Sequence, residues 1–287
     1  MGCAIRAVTH EKLLEGMNVI TRNFLRLLRA GSFQEPETIE PLSAWKWRQL
    51  YQIALMHGMG REVLEGIRRC QDQFFVQLPE GLAEEWQKAV DNSKEDYADT
   101  TEDLLRADHL TNPLLNRRLQ NILDDETSAN TETRHMLLQI VKTARYFMNE
   151  GFPFRHLTDL GLEIRRASGR VDYAKLKEWI SALRLTQFAR LQGTLLVSLM
   201  KFTEEEIQFA TPDMEIDLEA MARHIFKLRK VHAGDWQFSQ GQSIFVHSSG
   251  SMLWHVQRST RCFKYYPAES FTNFVASFIH SISHIEE

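Results

Sequence analysis

Apolar residues recur along most of this chain at steps of three and four positions, the spacing that places them on one face of an α-helix. In the first such segment the apolar positions run from Leu13 to Leu27, and Gly31 is the residue expected to end the helix. Residues 32–42 are then expected to form a linker. The same spacing predicts further helices over residues 47–58, 63–78, 82–90, 114–123, 137–148, 154–167, 172–183, 186–199, 217–228, 252–263 and 268–285.

Polar residues and glycines mark several boundaries of these predicted helices. Asp172, Thr186 and Asp217 stand where a capping side chain is expected, because their oxygens can accept hydrogen bonds from the first backbone amides of a helix. The sequence Thr-Glu-Glu-Glu at 203–206 has capping-box spacing. The sequence Gly-Met-Gly at 58–60 lacks the third glycine and the lysine of a phosphate loop, so it predicts a tight turn between two helices.

The predicted fold class is all-α. The chain contains no series of segments with alternating apolar and polar residues, so a large β-sheet is not expected. The helical period breaks from residue 231 to residue 250, which predicts a multi-helix orthogonal bundle with a short irregular or β-hairpin-like segment near 231–250. The division expected along the chain is an N-terminal helical part (1–78), an acidic helical connector (79–133) and a C-terminal helical part (134–287), or one continuous domain.

The composition is typical of a globular protein rather than of a disordered chain. Of 287 residues, 43% are hydrophobic and 17 are Phe, whereas only 14 are Gly and 7 are Pro. The formal net charge of −4 excludes a uniformly basic nucleic-acid binder but permits a local basic surface. The cysteines Cys3, Cys70 and Cys262 are far apart and form no CxxC pair, so they are expected to be reduced structural thiols.

The sequence also bears on the cellular compartment. Its start has no long apolar run of the kind that a signal peptide needs, and Arg6 occupies the position where a myristoylation motif has Ser or Thr. The most apolar stretches are interrupted by polar residues before they reach the ~20 residues of a membrane span. A cytoplasmic protein that does not bind a membrane is therefore expected.

A basic segment rich in aromatic residues covers positions 220–267. It carries seven Lys or Arg, one carboxylate and interleaved Trp, Phe and Tyr residues, a mixture that binds phosphates and stacks on bases. The side chains expected to contact a ligand there are Trp254, Arg258, Arg261, Lys264 and Tyr265. A helical face with its aromatic residues in the core, or a basic rim facing the acidic run 91–103, has the same pattern, so these alternatives stay open.

A weaker alternative is a metal site at Asp213 and Asp217. Two such carboxylates could hold Mg²⁺ for phosphoryl or nucleotidyl transfer. The preceding Pro212 and the amphipathic helix that follows favour instead a loop acid at Asp213 and a helix cap at Asp217. His280 and His284 share one helix face but lack the acid of an HExxH motif, so surface histidines are favoured. No resident metal or other cofactor is therefore expected.

Several segments resemble one bacterial protein family. Residues 151–160 read GFPFRHLTDL, residues 171–176 VDYAKL, residues 185–189 LTQFA and residues 264–269 KYYPAE, and the helices around the turn at 57–59 precede them. In this order they resemble the helical part of the uncharacterised nucleotidyltransferases that are common in polysaccharide loci of Bacteroidetes. The resemblance implies a helical scaffold and a protein partner, such as a polysaccharide-locus enzyme or a full-length relative.

The catalytic part of that family has no counterpart in this sequence. In the family, a nucleotidyltransferase domain with a Gly-Ser turn and a metal-binding Asp-x-Asp strand lies between the opening helices and the later ones. Residues 70–133 here contain neither motif. The resemblance therefore implies a non-catalytic binding or regulatory protein with no catalytic residue. The alternatives are a nucleotidyltransferase with an unrecognised Mg²⁺ site, and a nucleic-acid or nucleotide binder that uses residues 220–267.

Overall fold

The computed structural model describes residues 16–92, 109–125, 130–149, 154–212, 265–267 and 272. Within these residues the chain forms nine α-helices and no β-strand. They are α1 (Val19–Phe33), α2 (Ala44–Met56), α3 (Gly60–Arg69), α4 (Leu82–Asn92), α5 (Pro113–Asp124), α6 (Thr131–Asn149), α7 (Phe154–Arg166), α8 (Tyr173–Ala182) and α9 (Thr186–Met200). The predicted all-α class is confirmed, whereas the segment near 231–250 and the helices predicted beyond residue 212 lie outside the described residues. None of the described helices combines the length and the apolar character that crossing a bilayer requires.

The bundle is organised around α1, which packs against α2, α3, α7 and α9. Its side chains Phe24 and Leu28 are fully buried. A second group of contacts joins α6 to α7 and α8, and α9 packs against α1, α7 and α8. Helix α9 is buried on nearly every side from Phe188 to Met200, as expected of a helix in the middle of a bundle. The described helices share one hydrophobic core.

Two of the predicted boundaries are confirmed in detail. Gly58 has a φ of 65°, the left-handed conformation that glycine tolerates best, and α3 begins at Gly60, so residues 58–60 form the predicted turn. Asp172 caps α8 as predicted, because its side chain accepts a hydrogen bond of 2.9 Å from the Lys175 amide. Both features depend on residues that are close in sequence.

Two other predicted helix starts differ from what the structure contains. The capping box at Thr203 and Glu206 forms, with amide-to-side-chain hydrogen bonds of 2.7 and 3.2 Å, but it closes a turn at 204–206 rather than a helix. The prediction that Thr186 caps α9 is wrong, because Thr186 is itself the first helical residue. Leu185 occupies the cap position and makes no side-chain hydrogen bond, because its hydrocarbon side chain has no polar atom; that side chain is buried in the core instead.

The prediction that Gly31 ends α1 is also wrong. Helix α1 continues to Phe33, and Gln34 ends it in the left-handed conformation at a φ of 59°, with its amide donating to the Arg29 carbonyl. Gly31 lies inside the helix where α1 crosses α3, and a Cβ atom there would lie 1.8 Å from the Glu62 carbonyl oxygen. Helix packing, rather than a change of chain direction, requires the glycine at this position.

Helix α3 ends at Arg69, well before the predicted end at Leu78. The residues that follow form turns, and the Gln73 side chain holds them against the linker between α1 and α2. Its amide nitrogen donates to the Glu37 carbonyl at 2.7 Å, and its amide oxygen accepts from the Ile39 amide at 2.9 Å. These hydrogen bonds join segments that are far apart in sequence, so the apolar period alone does not predict them.

Candidate functional site

Helix α6 carries a stripe of polar side chains on a face that is largely closed to solvent. Gln139, Lys142 and Thr143 are 5%, 2% and 1% exposed, and half-buried His135 and Tyr146 continue the stripe at its two ends. Steps of three and four residues place these side chains on one side of the helix. Because buried polar side chains need hydrogen-bond partners, this stripe and the groups that face it are the first candidate for a functional site.

Helix α7 supplies polar groups that face the stripe. The His156 ring stacks on the Tyr146 ring, with centroids 4.0 Å apart and planes inclined by 25°. The His156 carbonyl accepts a long hydrogen bond of 3.4 Å from Gln139 Nε2, and the Thr143 hydroxyl lies 3.5 Å from the same carbonyl. These contacts hold the two helices together along the polar stripe.

A cleft of about 240 Å³ opens between α6 and α7 beside the stripe. It is lined by His135, Gln139, Arg155, Asp159, Leu162, Glu163 and Arg166. Glu163 engages Arg166 in a bidentate ion pair, with nitrogen–oxygen distances of 2.9 and 3.0 Å. The ion pair of Arg155 and Asp159 is looser, at 3.8 Å. A guanidinium in such a cleft can donate hydrogen bonds to both oxygens of a carboxylate or phosphate.

The start of α7 is anchored in the core by Phe154. Its ring meets the Phe24 ring edge-on at 5.6 Å and the His57 ring edge-on at 5.1 Å, measured between centroids. His57 ends α2, so the contact joins the segments 57–59 and 154–160, both of which carry the family resemblance. The anchor fixes the position of the cleft relative to the opening helices.

Comparison with known proteins gives no match. No protein-family model, no curated protein and no solved structure matches this chain. The resemblance to nucleotidyltransferases therefore stays a prediction from the sequence. Within the part of the chain that the structure describes, no group of three or more His, Cys, Asp or Glu side chains is placed to hold a metal ion.

Of the side chains predicted to bind a ligand, the structure describes Tyr265 alone. It is half-buried, and its ring centroid lies 6.4 Å from that of Phe147 on α6. Next to it, Tyr266 is buried, and its hydroxyl donates a hydrogen bond of 3.0 Å to the Leu183 carbonyl. Both tyrosines thus pack against the helical core. The other predicted ligand and metal residues lie outside the described residues: Asp213, Asp217, Trp254, Arg258, Arg261 and Lys264.

The apolar period of α6 predicts the helix but not the burial of its polar stripe. When the helix is predicted from its apolar positions, Gln139, Lys142 and Thr143 are assigned to the exposed face of an amphipathic helix. The signal that could have found them is their own spacing of three to four residues within a segment rich in apolar residues. Arg155 and Asp159 belong to segment 151–160, one of those on which the resemblance rests, but their place in a cleft depends on how α7 packs against α6.

Proposed function

We propose that this chain is a non-catalytic binding protein that holds a small molecule by its carboxylate or phosphate group in the cleft between α6 and α7. The observation that carries the proposal is the lining of the cleft, which brings Arg155 and Arg166 of α7 together with His135 and Gln139 of the polar stripe of α6.

The guanidinium groups and the size of the cleft support the acidic end of a small molecule as its ligand. Two arginines line the cleft: Arg166 pairs with Glu163 at 2.9 Å, and Arg155 pairs with Asp159 at 3.8 Å. A carboxylate or phosphate that reaches a guanidinium can accept charge-assisted hydrogen bonds, which are roughly twice as strong as those between neutral groups. The volume of about 240 Å³ is below the roughly 300–1,000 Å³ of sites that enclose a drug-sized molecule. The cleft therefore takes the charged end of the ligand.

The described part of the interval 70–133, namely residues 70–92, 109–125 and 130–133, supports the non-catalytic part of the proposal. The family that the sequence resembles carries its catalytic domain at this place, and the described residues here form α4 and α5. Helix α4 packs against α3, with Trp86 fully buried and its Nε1 donating a hydrogen bond of 2.9 Å to the Gly60 carbonyl. Two helices at this place, one of them packed into the core, suit a scaffold without the catalytic insert.

We also propose that the chain acts in the cytoplasm of a bacterium and binds a protein partner, either a polysaccharide-locus enzyme or a full-length relative. The wide spacing of the three cysteines is what supports a reducing compartment, and Cys70 is a buried free thiol among the described residues. Burial raises the pKa of Cys70, and the nearby carboxylates of Asp72 and Glu37 raise it further. The thiol therefore stays protonated and unreactive at neutral pH, in a structural role.

The binding part is tested by titrating the full chain with inorganic phosphate, acetate and ATP at low salt, by calorimetry or two-dimensional NMR. We expect saturable binding to the intact chain and a loss of about tenfold or more in affinity for Arg155→Gln. The matched control is Arg48→Gln on α2, a surface arginine 3.4 Å from Glu85, which should bind as the intact chain does. Equal affinities for the intact chain and Arg155→Gln, or no saturable binding at millimolar probe, contradict the proposal. Phosphate and acetate distinguish the two acidic groups.

The non-catalytic part is tested separately. The full chain is incubated with radiolabelled nucleoside triphosphates, Mg²⁺ or Mn²⁺ and an extract that supplies acceptors, and transfer of the label is measured. We expect no transfer above a heat-treated control. A metal-dependent transfer that disappears when Asp213 and Asp217 are both changed to Asn would overturn this part and favour the enzyme alternative.

A further inference from the structure

Two phenylalanines project from the turn that follows α3, residues 71–76, which we call the aromatic turn. Phe74 is 79% exposed and Phe75 is 54% exposed, and their rings meet edge to face with centroids 5.2 Å apart. Withdrawing one such side chain from water is worth about 1.5–3 kcal/mol. The pair is therefore suited to contact another apolar surface.

The backbone of the aromatic turn is held in place without any partner. The Gln73 side chain bonds to the Glu37 carbonyl and to the Ile39 amide, at 2.7 and 2.9 Å. Buried Cys70 and Val76 fix the two ends of the turn in the core. A contact surface that is ordered beforehand loses little conformational entropy when it binds.

A groove of about 560 Å³ lies next to the aromatic turn, between α3 and α4. Its apolar lining includes Leu64, Ile67 and Ala83. Gln71 and Leu78, which flank the two phenylalanines in the sequence, also line the groove, so the aromatic turn and the groove belong to one surface. A cavity of about 150 Å³ holds one benzene ring, so this groove has room for two phenyl rings.

We propose that two copies of this chain associate about a twofold axis, with the aromatic turn of each copy seated in the groove of the other. A twofold interface needs a surface that complements itself, and here the projecting part and the receiving part lie side by side. The charged lining residues are two cations and two anions, so identical surfaces do not repel each other: Arg68, Glu84, Lys88 and Asp91. A second copy of the chain offers both a groove that can receive the aromatic turn and an aromatic turn that can fill the groove.

The area available predicts a reversible dimer rather than a permanent one. Full burial of one phenylalanine removes roughly 150–250 Å² from solvent. Because Phe74 is 79% and Phe75 is 54% exposed, the four rings of a dimer contribute roughly 400–670 Å². The walls of the two grooves roughly double this area, which brings the total to the lower end of specific interfaces, about 1,200 Å². We therefore expect monomer and dimer to exchange at micromolar concentrations of the chain.

Sedimentation velocity of the full chain over a range of concentrations tests the dimer. We expect the mass to rise from monomer to dimer with concentration, and the double variant Phe74→Ser, Phe75→Ser to stay monomeric. The control is Leu114→Ser on α5, which removes an apolar side chain that is 74% exposed and should leave dimerisation unchanged. Circular dichroism checks that each variant is folded. An intact chain that is monomeric throughout, or a double variant that dimerises as well as the intact chain, overturns the proposal.

The groove is tested from its own side by Ala83→Arg, at an exposed position of the lining. We expect this variant to be monomeric, because the new side chain fills the groove. Mixed with the Phe74→Ser, Phe75→Ser variant, it should form a mixed dimer that is much weaker than the intact dimer, since only one aromatic turn then meets an intact groove. Dimerisation of Ala83→Arg as strong as that of the intact chain, or a mixed dimer as strong as the intact one, overturns the reciprocal arrangement.

Discussion

Gly31 and Gly66 face each other where α1 crosses α3. A Cβ atom on Gly31 would lie 1.8 Å from the Glu62 carbonyl oxygen, and a Cβ atom on Gly66 would lie 1.9 Å from the Leu27 carbonyl oxygen. The Gly66 amide nitrogen would itself be 2.8 Å from a Cβ atom on Gly31. The two backbones are thus in direct contact, and the pair of glycines sets the distance between two core helices.

We expect Gly66→Ala to lower the free energy of unfolding by about 3 kcal/mol, because α1 and α3 must separate to admit a methyl group. Urea denaturation measures the loss. The control is Gly169→Ala, where nothing lies within 4 Å of the new Cβ atom and the φ of 76° alone is unfavourable, at a cost of about 1 kcal/mol. Equal losses at the two positions would show that the crossing opens at little cost.

Glu37 is buried in an ion cluster that joins the linker to α1 and to the end of α9. Its carboxylate lies 2.7 Å from Arg29 Nε and 2.8 Å from Lys201 Nζ, and Arg29 also donates to the Leu199 carbonyl at 2.7 Å. We expect Glu37→Gln to lower the free energy of unfolding by about 3–5 kcal/mol at neutral pH, because it leaves the buried Arg29 guanidinium without its counter-charge. Urea denaturation at pH 7 measures this loss.

The same cluster predicts a pH dependence. Burial raises the pKa of Glu37, but the hydrogen bonds and charges of Arg29 and Lys201 outweigh it and hold the pKa below the ordinary 4.5. Because the pKa of Glu37 is lower in the folded state than in the unfolded state, its ionised carboxylate stabilises the fold. This contribution is complete above the unfolded-state pKa and is lost as the pH falls through the folded-state pKa. Thermal midpoints of the intact chain and Glu37→Gln should therefore converge below pH 4.5. A difference between the two thermal midpoints that does not change with pH would refute this account. The control is Glu178→Gln, which removes an exposed partner of Lys175.

Arg165 joins the end of α7 to two loops. Its guanidinium lies over the rings of Phe33 and Phe202, at 5.1 and 4.5 Å from their centroids, and pairs with Glu35 and Glu206 at 2.9 and 3.2 Å. We expect Arg165→Lys to lower the free energy of unfolding by about 1–2 kcal/mol, because an ammonium group cannot stack on two rings while bridging two carboxylates. Urea denaturation measures the difference.

The matched control for Arg165 is Arg166→Lys, at the next position of α7. The Arg166 side chain is 65% exposed and pairs only with Glu163 among the described ion pairs, so this change should alter the free energy of unfolding by less than about 0.5 kcal/mol. If both variants lose the same stability, the contact of the Arg165 guanidinium with the rings of Phe33 and Phe202 contributes nothing of its own.

Gln192 is fully buried in the middle of α9, and neither its amide oxygen nor its amide nitrogen meets a hydrogen-bond partner in the part of the chain that the structure describes. A buried polar group in this state costs about 1–3 kcal/mol. We expect Gln192→Met to raise the free energy of unfolding by about 1 kcal/mol, since methionine has a similar length and no strong polar group. The exposed Gln187→Met on the same helix should change little. Lower stability of Gln192→Met would mean that the amide is satisfied in the folded protein.

Local patterns predict the helices well because a helix is built from interactions three and four residues apart. The apolar period correctly places Trp47 and Trp86 on buried faces of α2 and α4. The Asp172 cap and the turn at Gly58 follow from interactions of the same short range. The end of α3 is not predictable in this way, because the turn after it depends on hydrogen bonds from Gln73 to the distant linker.

By itself, the sequence determined the all-α class, most of the helices that the structure describes and the apolar face that each of these buries. Only the tertiary structure decided that Gly31 lies inside α1 and that α7 closes the polar face of α6 to form a cleft. Gly31 touches Glu62, and Gln139 bonds to the His156 carbonyl, so each position is set by a residue well beyond one helical turn. Contacts of this kind produce no periodic pattern of apolar residues in either segment. Only the packing of helices against one another brings the two residues together.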